Sequence, residues 1–272
     1  MSSVTSRIND IQQPKGGYIK PSEFEVIEMN DGVVLNPEEN VHSSIVGMVV
    51  DYLTRLCMGA DIFDAFKISI YGAELAENLG RKKSVKIARD LLMGIEGLDD
   101  ASVVNACKLV TFDVWYRNPM GAMSAKGYSE TNPDASTIQN IQTLVKRSIS
   151  FFEKYGPITS DGFTFEPADK KQKRKKKGNY GGYTPVVDSG DGDFLTEDTL
   201  WDFKVSKSKP RSRHTLQLLM YWIMGQHSGQ EKFKKITRLG IFNPRLNMVY
   251  LLDVKNVSEE TIKVIEEDVI CY

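Results

Sequence analysis

The stretch Gly190-Asp-Gly-Asp-Phe-Leu-Thr-Glu-Asp-Thr-Leu-Trp-Asp-Phe-Lys204 decides the fold of this chain. Its periodicity predicts a short strand over residues 193–196 and a second strand, rich in β-branched and aromatic residues, over 199–205. Residues 197–198 between them form the two-residue turn of a hairpin. The sequence therefore predicts an antiparallel strand pair at the centre of an α/β domain.

Side chains alternate between the two faces of a strand. Asp202 and Lys204 therefore share one face of the second strand, while Trp201 and Phe203 occupy the opposite, apolar face. The hairpin brings Asp193 back beside Asp202. We expect two carboxylates and one ammonium group to converge on the polar face.

Two carboxylates this close repel each other unless a cation lies between them, and oxygen ligands suit Mg²⁺ or Mn²⁺. The alternative interpretation is a solvated strand face with a surface ion pair, which contributes little energy. The hydrophobic residues that flank Asp202 indicate a central strand and favour the metal site. So does the helix that follows, on which Gln217 and Tyr221 lie one turn apart.

Asp193, Asp202-Phe-Lys204 and Gln217-x-x-x-Tyr221 together resemble the motif of the PD-(D/E)XK nuclease superfamily. The branch that they resemble contains RecB-like nuclease domains and lambda-type exonucleases. The resemblance covers about residues 163–253 and one helix nearer the N-terminus. It implies a restriction-endonuclease-like αβββαβ core with a mixed central sheet and an N-terminal helical subdomain.

The resemblance also implies roles for individual residues. Asp193 and Asp202, with the backbone carbonyl of Phe203, hold Mg²⁺ or Mn²⁺. Lys204 assists the attacking water, and Gln217 orients the nucleophile or the phosphate. The implied reaction is metal-dependent hydrolysis of phosphodiester bonds, with DNA as the expected substrate and RNA as an open alternative.

A further metal ligand is predicted on an earlier helix. Within this helix, expected over about residues 37–57 with Asn36 as N-cap, Gly47-Met-Val-Val-Asp51 resembles the Gly-x-x-x-(His/Glu) helix of the same superfamily. The resemblance makes Asp51 a candidate for completing the metal shell. Alternatively, Asp51 pairs with Arg55 one turn further on. Both interpretations remain open.

Two cationic segments flank the predicted hairpin. The first lies in a basic loop over residues 169–183, and the second links the hairpin to the following helix. Such runs release counterions when they bind phosphates, although charge runs also occur as solubilising loops. The candidate nucleic-acid-binding residues are Lys173, Arg174, Lys175, Lys176, Lys207, Lys209, Arg211, Arg213 and Tyr221.

The remaining pattern predicts three regions: a flexible arm over residues 1–20, a helical region over 21–156, and a nuclease core over 157–272. Apolar periodicity predicts helices over about 61–79, 82–94, 100–117 and 134–155, and a terminal helix from Ser258. Within the core we expect a hairpin of 162–166 with 182–187, and a strand pair of 236–242 with 248–253.

Composition limits the protein class. The 272-residue chain is 41% hydrophobic, which is enough to bury a core, and its net charge of −1 requires any attraction to nucleic acid to be local. Its three scattered cysteines suit a reducing compartment, and no stretch predicts a leader or a membrane span. We expect a soluble, cytoplasmic nuclease without a membrane partner. A catalytically inactive nucleic-acid-binding module and a regulatory protein are the alternatives, and an oligomer or protein partner is left open.

Overall fold

The computed structural model describes residues 2–165 and 181–272. The chain divides into two compact units. One unit, which we call the sheet unit, consists of Met1–Met29 and Phe152–Tyr272. The other, which we call the helical unit, consists of Asn30–Phe151. The predicted boundary at residue 21 is therefore wrong, because the segment up to Met29 belongs with the C-terminal half.

The sheet unit contains a mixed six-stranded sheet, so the chain has a mixed α/β fold. The strand order across the sheet is β2-β8-β7-β6-β5-β3. Five of these strands come from the C-terminal half of the chain, as expected, and β2 is supplied by the N-terminal segment. Their bounds are β2 Glu25–Glu28, β3 Ser160–Thr164, β5 Asp191–Leu195, β6 Thr199–Phe203, β7 Arg238–Asn243 and β8 Met248–Asp253.

The centre of the sheet is the parallel pair of β6 and β7, which align from Thr199 opposite Arg238 to Phe203 opposite Phe242. Helix α10, Ser212–His227, connects the two strands. The first four residues of β6 are buried, as expected for a central strand covered on both faces. The predicted antiparallel pairs of β5 with β6 and β7 with β8 are also confirmed.

Two glycines allow close packing around this centre. A Cβ on Gly240 would collide with the indole of Trp201, and a Cβ on Gly192 would collide with the ring of Phe163. Trp201 is 1% exposed, and its Nε1 donates a hydrogen bond to the hydroxyl of Thr196 at 2.9 Å. Gly192 lies between the two acidic residues of β5, so the backbone there approaches the neighbouring strand closely.

The expected hairpin of residues 162–166 with 182–187 is wrong. Strand β3 pairs with β5 instead, antiparallel, with Phe163 opposite Gly192. Strand β4, Val187–Ser189, lies in a separate two-stranded sheet, where it runs parallel to β1, Ser2–Ser3. The intervening residues 166–180 lie outside the described part of the chain.

The expected flexible arm over residues 1–20 is also wrong. Val4–Asp10 form helix α1, with Val4 fully buried and Ile8 nearly so. Nε of Arg7 donates to the carbonyl of Val269 at 2.8 Å. This segment contains few apolar residues. They are sufficient to hold it in place because they pack into a core built mainly by the C-terminal half.

The C-terminal segment is held in the same core. Ser258 caps helix α11, Glu259–Val264, by accepting a hydrogen bond from the N–H of Thr261 at 3.1 Å, which confirms the predicted N-cap. A π-helical turn, Ile265–Ile270, follows. The hydroxyl of Tyr272 then donates to the carbonyl of Gly182 at 2.6 Å.

The helical unit contains helices α2 to α9, of which α9 continues into the sheet unit. Helix α2 begins at Ser43, capped by His42, and the predicted start at residue 37 is wrong because Asn36 bonds with Asn140 instead. The predicted helices over 61–79 and 100–117 are each interrupted. The bounds are α2 Ser43–Cys57, α3 Ile62–Ala65, α4 Lys67–Asn78, α5 Ser84–Met93, α6 Asp100–Leu109, α7 Asp113–Arg117, α8 Pro119–Ala122 and α9 Ala135–Tyr155.

Helix length and hydropathy also bear on membrane insertion. In the parts of the chain that the structure describes, no helix is both long and apolar enough to cross a bilayer.

Candidate functional site

The two predicted acidic ligands lie on neighbouring antiparallel strands. Strands β5 and β6 align Phe194 with Trp201, and the next position of the same register sets Asp193 beside Asp202. Oδ2 of Asp193 accepts a hydrogen bond from the backbone N–H of Phe203 at 2.6 Å. The side chain of Asp193 is thereby fixed against the end of β6.

Lys204 follows directly after β6 and joins the same group. Its backbone N–H donates to the carbonyl of Phe242 at 2.9 Å, which extends the ladder with β7 by one residue. Its Nζ lies 2.9 Å from Oδ1 of Asp202. The structure therefore brings together the two carboxylates and the ammonium group that alternation along the strand predicts.

Asp202 is the most buried of these groups, with only 4% of the residue exposed. Burial raises the pKa of its carboxyl group, whereas the charge of Lys204 and, less strongly, the side chain of Asp193 act to lower it. In the described part of the chain, no donor lies in hydrogen-bond geometry to Oδ2 of Asp202. Burying a carboxylate oxygen without a hydrogen-bond donor or a cation costs free energy.

Lys204 remains positively charged in this setting. Burial acts to lower the pKa of its ammonium group, but the negative charges of Asp202 and Asp193 outweigh burial and raise the pKa above its ordinary value. Lys204 therefore presents a permanent charge near neutral pH. This electrostatic state suits stabilisation of negative charge better than removal of a proton.

Gln217 and Tyr221 connect α10 to the strand that carries Asp193. The Tyr221 hydroxyl donates to the backbone carbonyl of Asp191 at 2.7 Å, and Nε2 of Gln217 donates to the same hydroxyl oxygen at 3.0 Å. Burial raises the pKa of Tyr221, and the charges of Asp191, Asp202 and Asp193 raise it further. The phenol thus lies in the field of the carboxylates.

Tyr221 cannot serve the nucleic-acid contact that we predicted for it. The residue is 3% exposed, and its ring packs edge-on against Phe163 at a centroid distance of 5.5 Å. A ring in the core has no face open for stacking on a base. The prediction failed because the i, i+4 pair with Gln217 lies where α10 packs on the sheet.

The cations after β6 are exposed, as predicted. Lys207, Lys209, Arg211 and Arg213 all have exposed side chains. Arg213 lies close enough to Lys204 for its charge to oppose the raised pKa of the lysine. Lys173, Arg174, Lys175 and Lys176, the candidates in the basic loop, lie outside the described residues.

His214, in the first turn of α10, is held uncharged near neutral pH. Burial lowers the pKa of its imidazole to about 4, and the charges of Lys204, Arg213 and Arg211 act in the same direction. Its Nδ1 lies 3.1 Å from the backbone nitrogen of Arg211 and accepts a hydrogen bond from it. His214 therefore caps the helix and adds no positive charge to the exposed cations.

Asp51 lies in α2 of the helical unit. Its Oδ1 accepts a hydrogen bond from Nε of Arg55 at 3.0 Å, which is the i, i+4 ion pair weighed as the alternative. Its role as a metal ligand stays a prediction. The role of the Phe203 carbonyl also stays a prediction, although the residue ends β6 between Asp202 and Lys204.

Asn243, at the end of β7, supports the site and was missed from the sequence. The residue is 1% exposed, and its Nδ2 donates to the carbonyl of Ser206 at 2.8 Å. Its Oδ1 accepts from the backbone N–H of Arg245 at 3.0 Å. Asn243 therefore anchors the link that follows Lys204. The sequence signal, an Asn before Pro244, indicated only a turn.

The oxygen ligands available at this position are few. Across residues 2–165 and 181–272, no cluster of three or more His, Cys, Asp or Glu side chains has the arrangement of a metal site. The site proposed here has only two such side chains, Asp193 and Asp202, together with a main-chain carbonyl.

Comparison of the chain with protein-family models, curated proteins and solved structures gives no match.

Proposed function

We propose that this protein is a Mg²⁺- or Mn²⁺-dependent nuclease of the PD-(D/E)XK type that hydrolyses phosphodiester bonds in DNA. One observation carries the proposal. Asp193 and Asp202 lie side by side on adjacent strands, Lys204 contacts one oxygen of Asp202, and the described residues supply no donor for the other. The order of β3, β5, β6, α10 and β7 along the chain supports a restriction-endonuclease-like core.

The donor set fits a hard divalent cation. Mg²⁺ and Mn²⁺ prefer carboxylate and carbonyl oxygens, and Oδ2 of Asp202 is a buried oxygen whose charge a cation would satisfy. Asp193, Asp202 and the backbone carbonyl of Phe203 would hold the ion. When bound, the ion polarises the phosphate and lowers the pKa of water.

Lys204 supplies fixed positive charge to the reaction. Because Asp202 and Asp193 raise its pKa, its ammonium group is charged and donates hydrogen bonds. Placed beside the scissile phosphate, it stabilises the negative charge that develops on the phosphate oxygens and orients the attacking water. Its contact with Asp202 holds the ammonium group in place before substrate arrives.

Gln217 positions the nucleophile in this proposal. Its amide nitrogen donates to Tyr221, so its amide oxygen is oriented to accept a hydrogen bond from the attacking water. Tyr221 connects this arrangement to β5 through the carbonyl of Asp191. The geometry of Gln217 relative to Asp193 therefore depends on one buried hydroxyl group.

The exposed cations after β6 support a nucleic-acid substrate. Four Lys and Arg side chains follow Lys204 within nine residues of it. Such a group binds phosphates without reading sequence and makes affinity sensitive to salt. DNA is the substrate that we propose, and RNA serves as the comparison in the test.

The decisive experiment incubates purified protein with linear, circular and single-stranded DNA and with RNA, in Mg²⁺, Mn²⁺ or chelator. We expect cleavage of DNA only with a divalent ion, and loss of cleavage in Asp202→Asn and Lys204→Met. Asp191→Asn, an exposed carboxylate on the same strand as Asp193, is the matched control and should cleave normally. Wild-type cleavage by Asp202→Asn would refute the mechanism, and metal-independent binding without cleavage would favour the binding module.

A further inference from the structure

The helical unit contains a cavity of about 980 Å³. Its lining comes from three segments, 39–48, 110–117 and 125–132, all of them within the helical unit. Ligand pockets in proteins usually measure about 300 to 1,000 Å³. The cavity is thus large enough for an organic molecule and not only for an ion.

A buried polar network lies at the base of the cavity. Asp113 is fully buried, and its carboxylate accepts hydrogen bonds from the hydroxyl groups of Tyr52 at 2.6 Å and Ser69 at 2.5 Å. Arg117 donates to the Tyr52 hydroxyl at 3.2 Å, and its Nε lies 3.6 Å from Oδ2 of Asp113. The network satisfies the buried acid and fixes the arginine at the wall.

Half of the Arg117 side chain remains accessible. Its exposed fraction is 55%, whereas that of the Asp113 side chain is zero. A guanidinium group has five N–H donors, and the contacts with Tyr52 and Asp113 use only some of them. Arg117 therefore retains donors for a ligand in the cavity.

The acidic side chains of the lining already have internal donors. Glu39 accepts from Nδ2 of Asn140 at 2.9 Å, and Glu130 accepts from the backbone N–H of Gly127 at 3.3 Å. Together with Asp113, each carboxylate of the wall is therefore engaged by the protein.

Three side chains of the lining, His42, Arg117 and Lys126, carry N–H donors. The backbone N–H of Ser44 donates to Nδ1 of His42 at 3.3 Å, which places the ring proton of a neutral imidazole on Nε2. Lys126 is exposed and forms no ion pair with any other residue of the described ranges. His42, Arg117 and Lys126 thus present N–H groups to a ligand rich in acceptor oxygens.

Part of the wall is apolar. It is formed by Val41, Ile45, Met48, Val110 and Val114. We propose that this cavity binds an organic anion, in which a phosphate or carboxylate group contacts His42, Arg117 and Lys126 while an apolar body packs on these side chains. The lining is separate in sequence from Asp193, Asp202, Lys204 and Gln217, and its occupation does not depend on their activity.

Calorimetry on the 272-residue chain in chelator tests this site without cleavage. The probes are dAMP, for a nucleotide source, and decanoate, for a fatty-acid source. Deoxyadenosine and inorganic phosphate represent the body and the head of dAMP alone, and acetate represents the head of decanoate. We expect at least one complete anion to bind with a Kd below about 1 mM, and each incomplete probe to bind at least about tenfold more weakly. The anion that binds identifies the source.

Two variants locate the binding. Lys126→Glu should weaken binding of the complete anion at least about tenfold, because it reverses one of the three recognising groups. Lys82→Glu, an exposed lysine of the helical unit outside the lining, makes the same charge change and should leave the Kd unchanged. Met48→Trp should abolish binding by filling the cavity, with thermal unfolding confirming that the variant is folded.

The proposal is overturned if neither anion saturates the protein, or if an incomplete probe binds as tightly as the complete anion. It is also overturned if Lys126→Glu and Lys82→Glu bind alike. If the unmodified protein binds the anion but does not cleave DNA, only the nuclease proposal is refuted. If it cleaves DNA but does not bind the anion, only the proposal for the cavity is refuted.

Discussion

Nζ of Lys204 lies 2.9 Å from Oδ1 of Asp202, and the exposed fractions of the two side chains are 32% and 6%. The pair is therefore asymmetric: the carboxylate is in the interior and the ammonium group reaches the surface. The other carboxylate oxygen has no donor among the residues described. This asymmetry separates the site from an ordinary surface ion pair and leads to the first two predictions.

Asp202→Asn should abolish cleavage while the protein stays folded. The substitution removes a charge that burial disfavours, and it also removes the contact of that charge with Lys204, so the two effects oppose each other. We expect the free energy of unfolding in urea to change by less than about 2 kcal/mol. A loss of folded structure in circular dichroism would contradict this prediction.

Lys204→Arg should retain measurable cleavage, whereas Lys204→Met should not. The raised pKa of Lys204 keeps the ammonium group charged, and arginine preserves that charge but cannot act as a base. Single-turnover rates in Mg²⁺ measure the difference. Equal loss in both variants would instead indicate that Lys204 removes a proton or that its shape is essential.

Tyr221→Phe should slow cleavage and destabilise the protein by about 1 to 2 kcal/mol, because it removes the hydroxyl that joins Gln217 to the carbonyl of Asp191. Tyr250→Phe is the matched control, since among the described residues the Tyr250 hydroxyl forms a hydrogen bond only with the sulfur of Met248, at 3.4 Å. DNA affinity should be nearly unchanged in both. Normal cleavage by Tyr221→Phe would remove the positioning role of Gln217.

Lys209→Gln should reduce the salt dependence of DNA binding. If the exposed lysine contacts a phosphate, its removal lowers the slope of log affinity against log salt by about 1. Lys235→Gln, another exposed lysine of the sheet unit, should leave the slope unchanged. Fluorescence anisotropy at several salt concentrations measures both slopes, and identical slopes would exclude Lys209 from the interface.

Asp31→Asn should destabilise the helical unit in a pH-dependent way. Arg147, whose side chain is 6% exposed, donates to both carboxylate oxygens of Asp31, at 2.6 and 2.9 Å. The hydrogen bond with Arg147 is the main cause of the lowered pKa of Asp31. The pKa of Asp31 is therefore lower in the folded protein than in the unfolded chain, where it is about 4. The ion pair stabilises the folded protein above this unfolded-state pKa. The stabilisation is lost as pH falls through the pKa of Asp31 in the folded protein.

We therefore expect Asp31→Asn to cost about 1 to 3 kcal/mol at pH 7, and the difference from wild type to shrink towards pH 3. Denaturant unfolding at pH 7, 5 and 3 measures the difference. Asp64→Asn, an exposed aspartate of the same unit, is the control and should show no such trend. A cost that is constant with pH would exclude the ion pair as its origin.

Local patterns were sufficient to predict the centre of the site. The relation of Asp193, Asp202 and Lys204 follows from a two-residue turn and from alternation along a strand, both of which act within a few residues. The pairing of β5 with β6 bears this out.

Long-range contacts explain the predictions that failed. The partner of β3 depends on how the whole sheet is ordered, and the short apolar pattern before the basic loop contained no information on that order. Val4 and Ile8 are buried by a core that forms from distant residues. Asn36 had the sequence of an N-cap, but Asn140, far along the chain, binds its backbone N–H.

The sheet unit includes chain segments from before and after the helical unit, so Asn30–Phe151 is an insertion. When the insertion unfolds while the sheet unit stays folded, both of its ends remain tethered, as in a chain closed by a cross-link. Tethering restricts the conformational freedom of the unfolded insertion and makes its unfolding less favourable. An excised fragment of residues 30–151 should therefore melt at a lower temperature than the same residues within the intact protein.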